Sequence, residues 1–447
     1  MSEHPRAVPT VLNNNGGWCW FQDERAIMHH GKLWVGSVAS GRGAGANARV
    51  GNIELAVHDF GRNTTSRTVL HPHLEEDDHD APALYARPDG SVLAVYGKHS
   101  TDRLCRWRIM DDPGDPTSWR PEETFDVGDM YCFSNVYSLA DDADRLFNFH
   151  RGRGSKPIYL LSDDHGDTWR YGGKLLHWKP AANDPKNVGG GGLRPYVRYA
   201  SNHRDTIHFV TTEDHPRGYD NSIYHGSARL IDGQMMVCHS DGRVIGPLAE
   251  QDPTKLQPTD LTRVFEGGRD RVAWTVDLRL DADGHPVTIF STQRDGGDVR
   301  DDRHAGGNDL RYHYARFDGE RWTAHEIAHA GSALYAPEVD YPGLAAIHPY
   351  AVDHVYISTN ADPVTGQPLV SMADRKRHYE IFAGHTVDGG KTWAWSAVTK
   401  NSAVDNIRPL LAPGDPVRTP LLWLRGKLKN YRHYDLEVVM LENPPGR

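Results

Sequence analysis

The pattern S-x-D-x-G-x-T-W occurs at Ser162-Asp163-Asp164-His165-Gly166-Asp167-Thr168-Trp169 and is the strongest indication of the fold, because it returns near the end of the chain. The second copy, with Thr in place of the first Ser, is Thr386-Val387-Asp388-Gly389-Gly390-Lys391-Thr392-Trp393. Asp and Gly at this spacing favour a tight turn whose backbone the Ser and Thr hydroxyls can bond. The final Trp predicts an aromatic wedge between neighbouring sheets. Two copies in one chain indicate a repeat architecture.

This motif is the Asp-box of β-propellers that handle carbohydrates, and a second periodicity supports that interpretation. A turn followed by a short apolar strand recurs seven times, with the marker residues Val35, Val95, Phe149, Val210, Ile289, Ile357 and Leu422. Each interval has room for four short strands, the content of one propeller blade. We therefore predict an all-β protein, a single domain over residues 1–447 that forms a seven-bladed β-propeller of four-stranded antiparallel sheets.

Two features refine the predicted ring. The longest interval separates Val210 from Ile289, so an extra strand pair or a long loop is expected there. The N-terminal stretch 9–12 is expected to pair with a C-terminal strand at 434–441, which would close the ring and remove exposed sheet edges. No long stretch carries a convincing 3.6-residue apolar period, so no helical domain is expected.

Composition narrows the function classes. The chain has 44 Gly, 28 Pro and 12 Trp, which suits many turns and sheet-wedging aromatics, and a net charge of −10, which argues against nucleic acid as a partner. No segment is long enough to predict a membrane span. The N-terminus lacks a basic and an apolar signal region, so the protein is expected to be cytoplasmic, or secreted with its signal peptide trimmed. Four unpaired cysteines suggest reduced buried thiols.

The innermost strands of a propeller start around its central channel, where a ligand usually binds. The predicted starts carry aromatic, His or Arg residues, and the marker strands end in His, Arg or Asn. Arginines clustered at one rim predict an anionic ligand, a carboxylate or a sulfate, because guanidinium binds both bidentately. The alternative is that these arginines form structural pairs with Asp at blade edges.

His79 and His99 are the strongest candidates for catalysis. They lie at the start of one predicted strand and the end of the next, so a hairpin would bring them to the same end of one blade. Imidazole titrates near neutral pH, which suits proton transfer. The competing interpretation is a pair of hydrogen-bonded structural histidines in a chain that has 26 of them.

Several motifs together resemble the BNR-4 repeat proteins. They are Asp77-Asp78-His79-Asp80-Ala81-Pro82, Phe133-Ser134-Asn135, Phe149-His150-Arg151-Gly152, Arg194-Pro195-Tyr196-Val197-Arg198-Tyr199 and His215-Pro216-Arg217. That family includes seven-bladed ulvan lyases and L-rhamnose-α-1,4-D-glucuronate lyases active on gum arabic. The resemblance implies a polysaccharide lyase that cleaves a rhamnose-(1→4)-uronate bond by β-elimination and leaves an unsaturated uronate. Its partner would be an anionic rhamnose- and uronate-containing polysaccharide or oligosaccharide, and the chain length is closer to the rhamnose–glucuronate lyases.

The resemblance also implies roles for individual residues. His79 and His99 match catalytic histidines, Arg151 and Arg217 match carboxylate-binding positions, and Tyr199 matches a tyrosine proposed as base or acid. The choice of base and acid stays open. Further substrate-binding residues are predicted at Asn135, Arg194, Trp274, Arg294 and Arg408.

The elimination itself needs no cofactor, but a structural metal ion is considered. Ulvan lyases carry zinc in the region where this chain has His208, His215, His225, Cys238 and His239. Of these, His208, His225, Cys238 and His239 are the predicted ligands, although their spacing is no standard zinc signature. A calcium ion in the central channel is a further implication of the resemblance.

Two other function classes stay open. A glycoside hydrolase, either a rhamnosidase or a sialidase-like enzyme, could use the same propeller, although the N-terminal Arg-Ile-Pro motif of sialidases is absent. A non-catalytic glycan-binding propeller would keep the aromatics and arginines but would not need the histidine pair. Ultraviolet absorbance of an unsaturated uronate separates the lyase from both.

Overall fold

The computed structural model describes residues 8–23, 25–152, 154–189, 193–248, 255–295, 306–336 and 338–445. Within these ranges the chain forms thirty strands in seven antiparallel sheets, and the first strands of successive sheets pack side by side as a ring. The predicted all-β, seven-bladed β-propeller is confirmed. The described helical elements are short: α1 (Ala46–Arg49) and the 3-10 turns Asp78–Asp80, Ala140–Asp142 and Pro258–Asp260.

The strands are numbered in chain order, and each blade is given from its innermost strand outward. Blades 1 to 3 contain β2 (Ala26–His29), β3 (Lys32–Val38), β4 (Ile53–Asp59) and β5 (Thr64–His71); β6 (Ala83–Ala86), β7 (Val92–Tyr96), β8 (Leu104–Ile109) and β9 (Glu123–Asp126); and β10 (Tyr131–Leu139), β11 (Arg145–Gly152), β12 (Lys156–Ser162) and β13 (Arg170–Lys174). Blade 4 contains β14 (Val197–Ser201), β15 (Thr206–Thr211), β16 (Ile223–Ile231), β17 (Gln234–Cys238), β18 (Val244–Pro247) and β19 (Thr262–Phe265).

The last three blades follow the same plan. Blades 5 to 7 contain β20 (Val272–Leu280), β21 (Pro286–Gln293), β22 (Leu310–Phe317) and β23 (Trp322–Gly331); β24 (Ala345–Ile347), β25 (His354–Thr359), β26 (Glu380–His385) and β27 (Ala394–Ala397); and β28 (Asp405–Leu411), β29 (Leu421–Asn430), β30 (His433–Leu441) and β1 (Thr10–Asn13).

Blade 4 departs from the predicted four strands. Its described part has six, because β19 pairs with β16 beside the regular order β14 to β18. The additional strands lie in the interval between Val210 and Ile289, where an extra strand pair was expected. The predicted closure is also confirmed, since β1 completes blade 7 by pairing antiparallel with β30.

The two Asp-boxes lie at equivalent turns, between the third and fourth strands of blades 3 and 6. In the first, Thr168 Oγ1 donates to Asp164 Oδ2 at 2.5 Å and the Gly166 amide donates to Ser162 Oγ at 2.8 Å. Gly166 has φ 95°, and a Cβ there would approach Leu93 of blade 2 to 2.4 Å. The box therefore fastens one blade to the one before it, and Trp169 packs edge-on to Trp107 across the same boundary.

The segment between β1 and β2 fills one end of the channel. Trp20 and Phe21 of this segment pack against an aromatic cluster contributed by the inner strands and the loops before them, namely Phe133, Tyr196, Trp274 and Tyr341. Gln22 Nε2 donates to the carbonyls of His79 at 2.7 Å and Ala81 at 3.0 Å. The N-terminal segment, called the plug below (residues 14–23), therefore supports the loop that carries His79.

Two expectations from composition can be compared with the described residues. Cys19, Cys105, Cys132 and Cys238 are buried free thiols, as predicted. None of the helices in the described ranges has the length and apolar character needed to cross a membrane.

Candidate active site

The histidine pair lies where the inner strands of blades 2 and 3 begin. His79 is part of the 3-10 turn Asp78–Asp80 just before β6, and His99 follows β7, the next strand of the same blade. Their rings stack at 3.7 Å between centroids with an interplanar angle of 12°. The predicted proximity of His79 and His99 is therefore confirmed.

Asp77 joins the two imidazoles. Its Oδ1 accepts from His79 Nδ1 at 2.6 Å and from the His79 amide at 3.1 Å, whereas its Oδ2 accepts from His99 Nδ1 at 2.9 Å. Arg432 Nε also donates to Oδ2, at 3.0 Å. Asp77 is fully buried, so four N–H groups replace the water that its charge would otherwise bind.

Arg151, at the end of β11, faces the outer nitrogen of His99. Its Nη2 lies 2.9 Å from His99 Nε2, and its guanidinium carbon lies 4.9 Å above the Phe133 ring. Phe133 stacks on His79 at 5.4 Å and has φ 68°, a left-handed conformation that is uncommon for a bulky residue. Such strain is typical of sites that function has shaped.

The two histidines have opposite electrostatic environments. Burial opposes charge on His79, but the pKa of His79 is raised well above its usual range by Cys19, Asp77 and Asp78. Burial and the charge of His79 instead lower the pKa of His99 to about 3. Despite its burial, the pKa of Asp77 is held far below its usual range by the two imidazoles. The arrangement at neutral pH is thus a carboxylate, one imidazolium and one neutral imidazole.

A second charged group lies further round the mouth. Arg217 Nη1 pairs with Glu338 Oε1 at 2.8 Å, and His215 Nε2 lies 3.5 Å from Glu338 Oε2. Tyr196 connects this group to the first, because its ring packs edge-on to His215 and its hydroxyl lies 3.5 Å from Arg151 Nη1. Tyr196 therefore contacts Arg151 on one side and, through His215, the group that contains Glu338 and Arg217 on the other.

Asn135 and Tyr199 lie deeper in the channel. The Asn135 Oδ1 accepts from the Asp23 amide and from Arg25 Nη2, at 3.0 and 2.9 Å, so it anchors the plug. Tyr199 stacks on Phe149, and burial, with Asp23 nearby, raises the pKa of Tyr199 well above its usual range. Tyr199 and Asn135 also line a cavity of about 530 Å³ that is bordered by the opposite ends of the inner strands.

The structure places the other predicted substrate-binding residues away from open space or in ion pairs. Trp274 is 1% exposed within the aromatic cluster, and Arg408 is also 1% exposed, with Nη1 2.5 Å from Asp78 Oδ2 and bonded to the Trp18 carbonyl. Arg408 therefore supports the His79 turn from below. Arg294 pairs with Glu326 at 3.1 Å on the exposed rim, and Arg194 lies 6.0 Å over the Tyr196 ring.

The predicted metal ligands of blade 4 do not assemble. His208 Nδ1 lies 3.1 Å from His225 Nε2, but His239 Nδ1 faces Thr262 Oγ1 and Cys238 lies near the Met236 carbonyl. Among the described residues, groups of three ligand atoms within 4.8 Å occur elsewhere: Cys19/Asp78/His79, Asp77/His79/His99 and Asp281/Asp283/His285. The first two groups share His79, whose Nδ1 lies 2.6 Å from Asp77 Oδ1 and 2.9 Å from Asp78 Oδ1.

Sequence reasoning missed four residues of this site: Asp77, Glu338, Tyr431 and Arg432. Asp77 had a local signal, because an acidic residue two positions before a histidine can bond both its amide and its ring. Tyr431 packs edge-on to both imidazoles, at 5.1 and 5.5 Å, from the turn between β29 and β30. Tyr431 belongs to blade 7, so the sequence around His79 does not predict its contact with the histidines.

The fold and the site define a seven-bladed β-propeller with a buried carboxylate–histidine–arginine network at the mouth of its channel. The chain belongs to the BNR repeat-containing family, because residues 46–330 match the sequence model of that family. No curated protein sequence matches it significantly.

Solved structures share the fold over almost the whole chain. A PL25 ulvan lyase bound to -[GlcA(1-4)Rha3S]- is 14% identical with a TM-score of 0.70, covering 98% of this chain and 96% of that one. The polysaccharide lyase Uly1 is 9% identical with a TM-score of 0.56, covering 94% and 90%. At such identities the likeness establishes the fold, and the reaction has to be argued from the site.

Proposed function

We propose that this protein is a polysaccharide lyase that cleaves a rhamnose-α-1,4-uronate bond, with glucuronate as the uronate, by β-elimination. Such a reaction requires a cation beside the uronate carboxylate, a base for the C5 proton and an acid for the leaving oxygen. Neutralising the carboxylate acidifies C5 because the electrons left on C5 spread into the carboxyl group.

The observation that carries this proposal is the 2.9 Å contact between Arg151 Nη2 and His99 Nε2. The carboxylate carbon of a uronate is bonded directly to C5. A carboxylate held by Arg151 would therefore place its C5 proton within reach of a neutral imidazole nitrogen. A hydrolase gains nothing from this particular adjacency, because it attacks the anomeric carbon and not C5.

The proposed step balances with residues of this chain. When the uronate carboxylate takes over the hydrogen bond of Arg151, the lone pair of His99 Nε2 is released and accepts the C5 proton. The C–H electron pair forms the C4=C5 double bond. The C4–O4 bond breaks with its electrons on O4, and a proton from the His79 imidazolium neutralises the leaving oxygen. The products are an unsaturated uronate and a rhamnose-terminated chain, without consumption of water or a cofactor.

The substrate class rests on charge and on likeness. Arg151 and Arg217 are connected through Tyr196, His215 and Glu338 in a protein of net charge −10, and their two guanidinium groups suit an anionic sugar chain. The PL25 ulvan lyase of similar fold is bound to a glucuronate–rhamnose sulfate chain. We propose that this chain acts on a polysaccharide of the same kind, at its rhamnose-α-1,4-glucuronate bonds, in gum arabic side chains or in ulvan.

The test is to incubate the protein with gum arabic and with ulvan and to follow ultraviolet absorbance. The expected result is growth of the absorbance of an unsaturated uronate with at least one substrate. The matched control is the same polysaccharide with its carboxyl groups reduced, which should not be cleaved because nothing acidifies C5. Cleavage of the reduced substrate to saturated products would establish a glycoside hydrolase, and binding without cleavage would establish a glycan-binding propeller.

A further inference from the structure

We propose that Asp77 and Arg432 are positioning residues that fix which ring nitrogens of His79 and His99 carry protons. Arg432 belongs to blade 7, so the blade that closes the ring determines the protonation of the site. The part of this inference that concerns turnover rests on the proposed lyase function, whereas the part that concerns protonation does not.

The hydrogen bonds of Asp77 and Arg151 determine which ring nitrogens carry protons. A carboxylate only accepts hydrogen bonds, so Asp77 requires a proton on the Nδ1 atom of both His79 and His99. A guanidinium only donates, so the contact from Arg151 Nη2 requires a lone pair on His99 Nε2. His99 is thereby fixed as the neutral Nδ1–H tautomer with its basic nitrogen turned towards Arg151.

Arg432 holds the carboxylate of Asp77 in place. Its buried carboxylate would be costly without compensation, and the donor from outside the histidine loops is Arg432 Nε at 3.0 Å. Arg432 stands in the turn between β29 and β30. In the same turn, the Tyr431 carbonyl accepts a hydrogen bond from the Asp78 amide at 2.9 Å. The turn therefore contacts the loop that carries His79 at two points, Asp77 and Asp78.

The turn that carries Arg432 is part of the blade that closes the ring. β30 pairs with β29 on one side and with the N-terminal strand β1 on the other. The turn that orients Asp77 therefore connects two strands of blade 7, the sheet in which N-terminal and C-terminal strands pair. Other charges near Arg432 are acidic: Glu75 Oε1 lies 4.0 Å from its Nη2, and Glu75 Oε2 accepts from the His99 amide at 3.0 Å.

The sharpest variant is Asp77→Asn. An amide has one accepting oxygen and one donating nitrogen, so it can serve only one of the two Nδ1–H groups. The other imidazole has to move its proton to Nε2 or lose its partner. Turnover is expected to fall by about a hundredfold or more, as when a histidine is held in the wrong tautomer, while KM changes little.

Arg432 provides a test that does not depend on a buried substitution, since its side chain is 51% exposed. Arg432→Ala is expected to lower kcat roughly threefold to tenfold, and Arg432→Lys should recover part of the loss because an ammonium can still donate to Asp77. Arg425→Ala is the matched control. Arg425 lies in β29 of the same blade and pairs with Glu437 at 2.7 Å.

NMR of isotope-labelled histidine measures the ring protonation directly and needs no substrate. His79→Gln and His99→Gln assign the two signals. We expect Nδ1–H on both rings, an unprotonated Nε2 on His99, and a change in these signals in Arg432→Ala but not in Arg425→Ala.

Two results would overturn the inference: a His99 ring protonated at Nε2 in the unmodified protein, or Arg432→Ala and Arg425→Ala with the same spectra and the same kcat. Failure of the lyase proposal is distinguishable, because it would remove turnover on every uronate substrate and leave the NMR result to decide the positioning role.

Discussion

The histidine pair at the channel mouth and the pair in blade 4 both stack their rings, at 3.7 and 5.3 Å between centroids, but have opposite surroundings. His79 and His99 share the carboxylate of Asp77, and one of them faces a guanidinium. His208 Nδ1 lies 3.1 Å from His225 Nε2, and His225 Nδ1 lies 2.8 Å from Ser240 Oγ. These hydrogen bonds join neutral side chains of the described residues.

The difference appears in the direction of the pKa values. Burial, with Arg229 adding to it, lowers the pKa of His208 to about 4, and burial lowers the pKa of His225 well below its usual range. Both rings are therefore neutral, whereas the mouth pair holds one imidazolium. The buried counter-charge that separates the protonation states of two stacked histidines is what makes the mouth pair, and not the blade 4 pair, the candidate for proton transfer.

The largest expected effect contrasts the two pairs by substitution. His99→Ala should lower turnover by about a hundredfold or more, roughly the contribution of one general base, and His79→Ala should do the same as the loss of the acid. His208→Gln and His225→Gln are the matched controls and should keep turnover within a few-fold. Initial rates of ultraviolet absorbance on gum arabic or ulvan provide the measurement. Near-normal turnover of both mouth variants would make that pair structural and bring Tyr199 forward as the catalytic candidate.

The next effect concerns the guanidinium that distinguishes the mouth pair. Arg151→Lys should lower kcat by about a hundredfold and raise KM, because its charge acts more strongly on the enolate-like transition state and an ammonium lacks the bidentate fork. We expect a similar pattern for Arg217→Lys. Arg145→Lys is the control, since Arg145 lies at the other end of β11 and pairs with Asp163 at 2.6 Å. Equal kinetics of the Arg145 and Arg151 variants would contradict the assigned role.

The smallest effect is a pH dependence of stability in blade 4. Because the pKa of His208 is about 4 in the folded protein and about 6.5 when unfolded, the unfolded chain binds its proton first as the pH falls. The stability from neutral His208 is thus complete above about pH 6.5 and is lost between there and about pH 4. His208→Gln should show a smaller fall in Tm across this window than the unmodified protein. The same fall in both would refute the neutral, buried assignment.

Much of the fold could be predicted because its signals are local. The Asp-boxes bond within eight residues, and the hairpin that unites His79 with His99 spans a single blade. Asp77 was within reach of the same reasoning, since its bond to the His79 amide is that of an acidic N-cap.

The rest of the site depends on contacts that sequence distance conceals. Arg432 reaches Asp77 across 355 positions, and Arg217 reaches Glu338 across 121. Trp274 and Arg408 were expected to face substrate because inner strands start at the channel mouth. The plug covers both, and strand patterns cannot tell which channel-facing side chains a distant segment will cover.

Elimination at the mouth pair is the central claim about this protein, and the mass balance of the products tests it directly. The protein is incubated with a purified rhamnose–glucuronate oligosaccharide, and the product masses are compared with the mass of the substrate. Elimination predicts that the masses of the two products add up to the mass of the substrate. His99→Ala should form these products about a hundredfold more slowly. Products that add up to the substrate plus one water would establish hydrolysis and contradict the account.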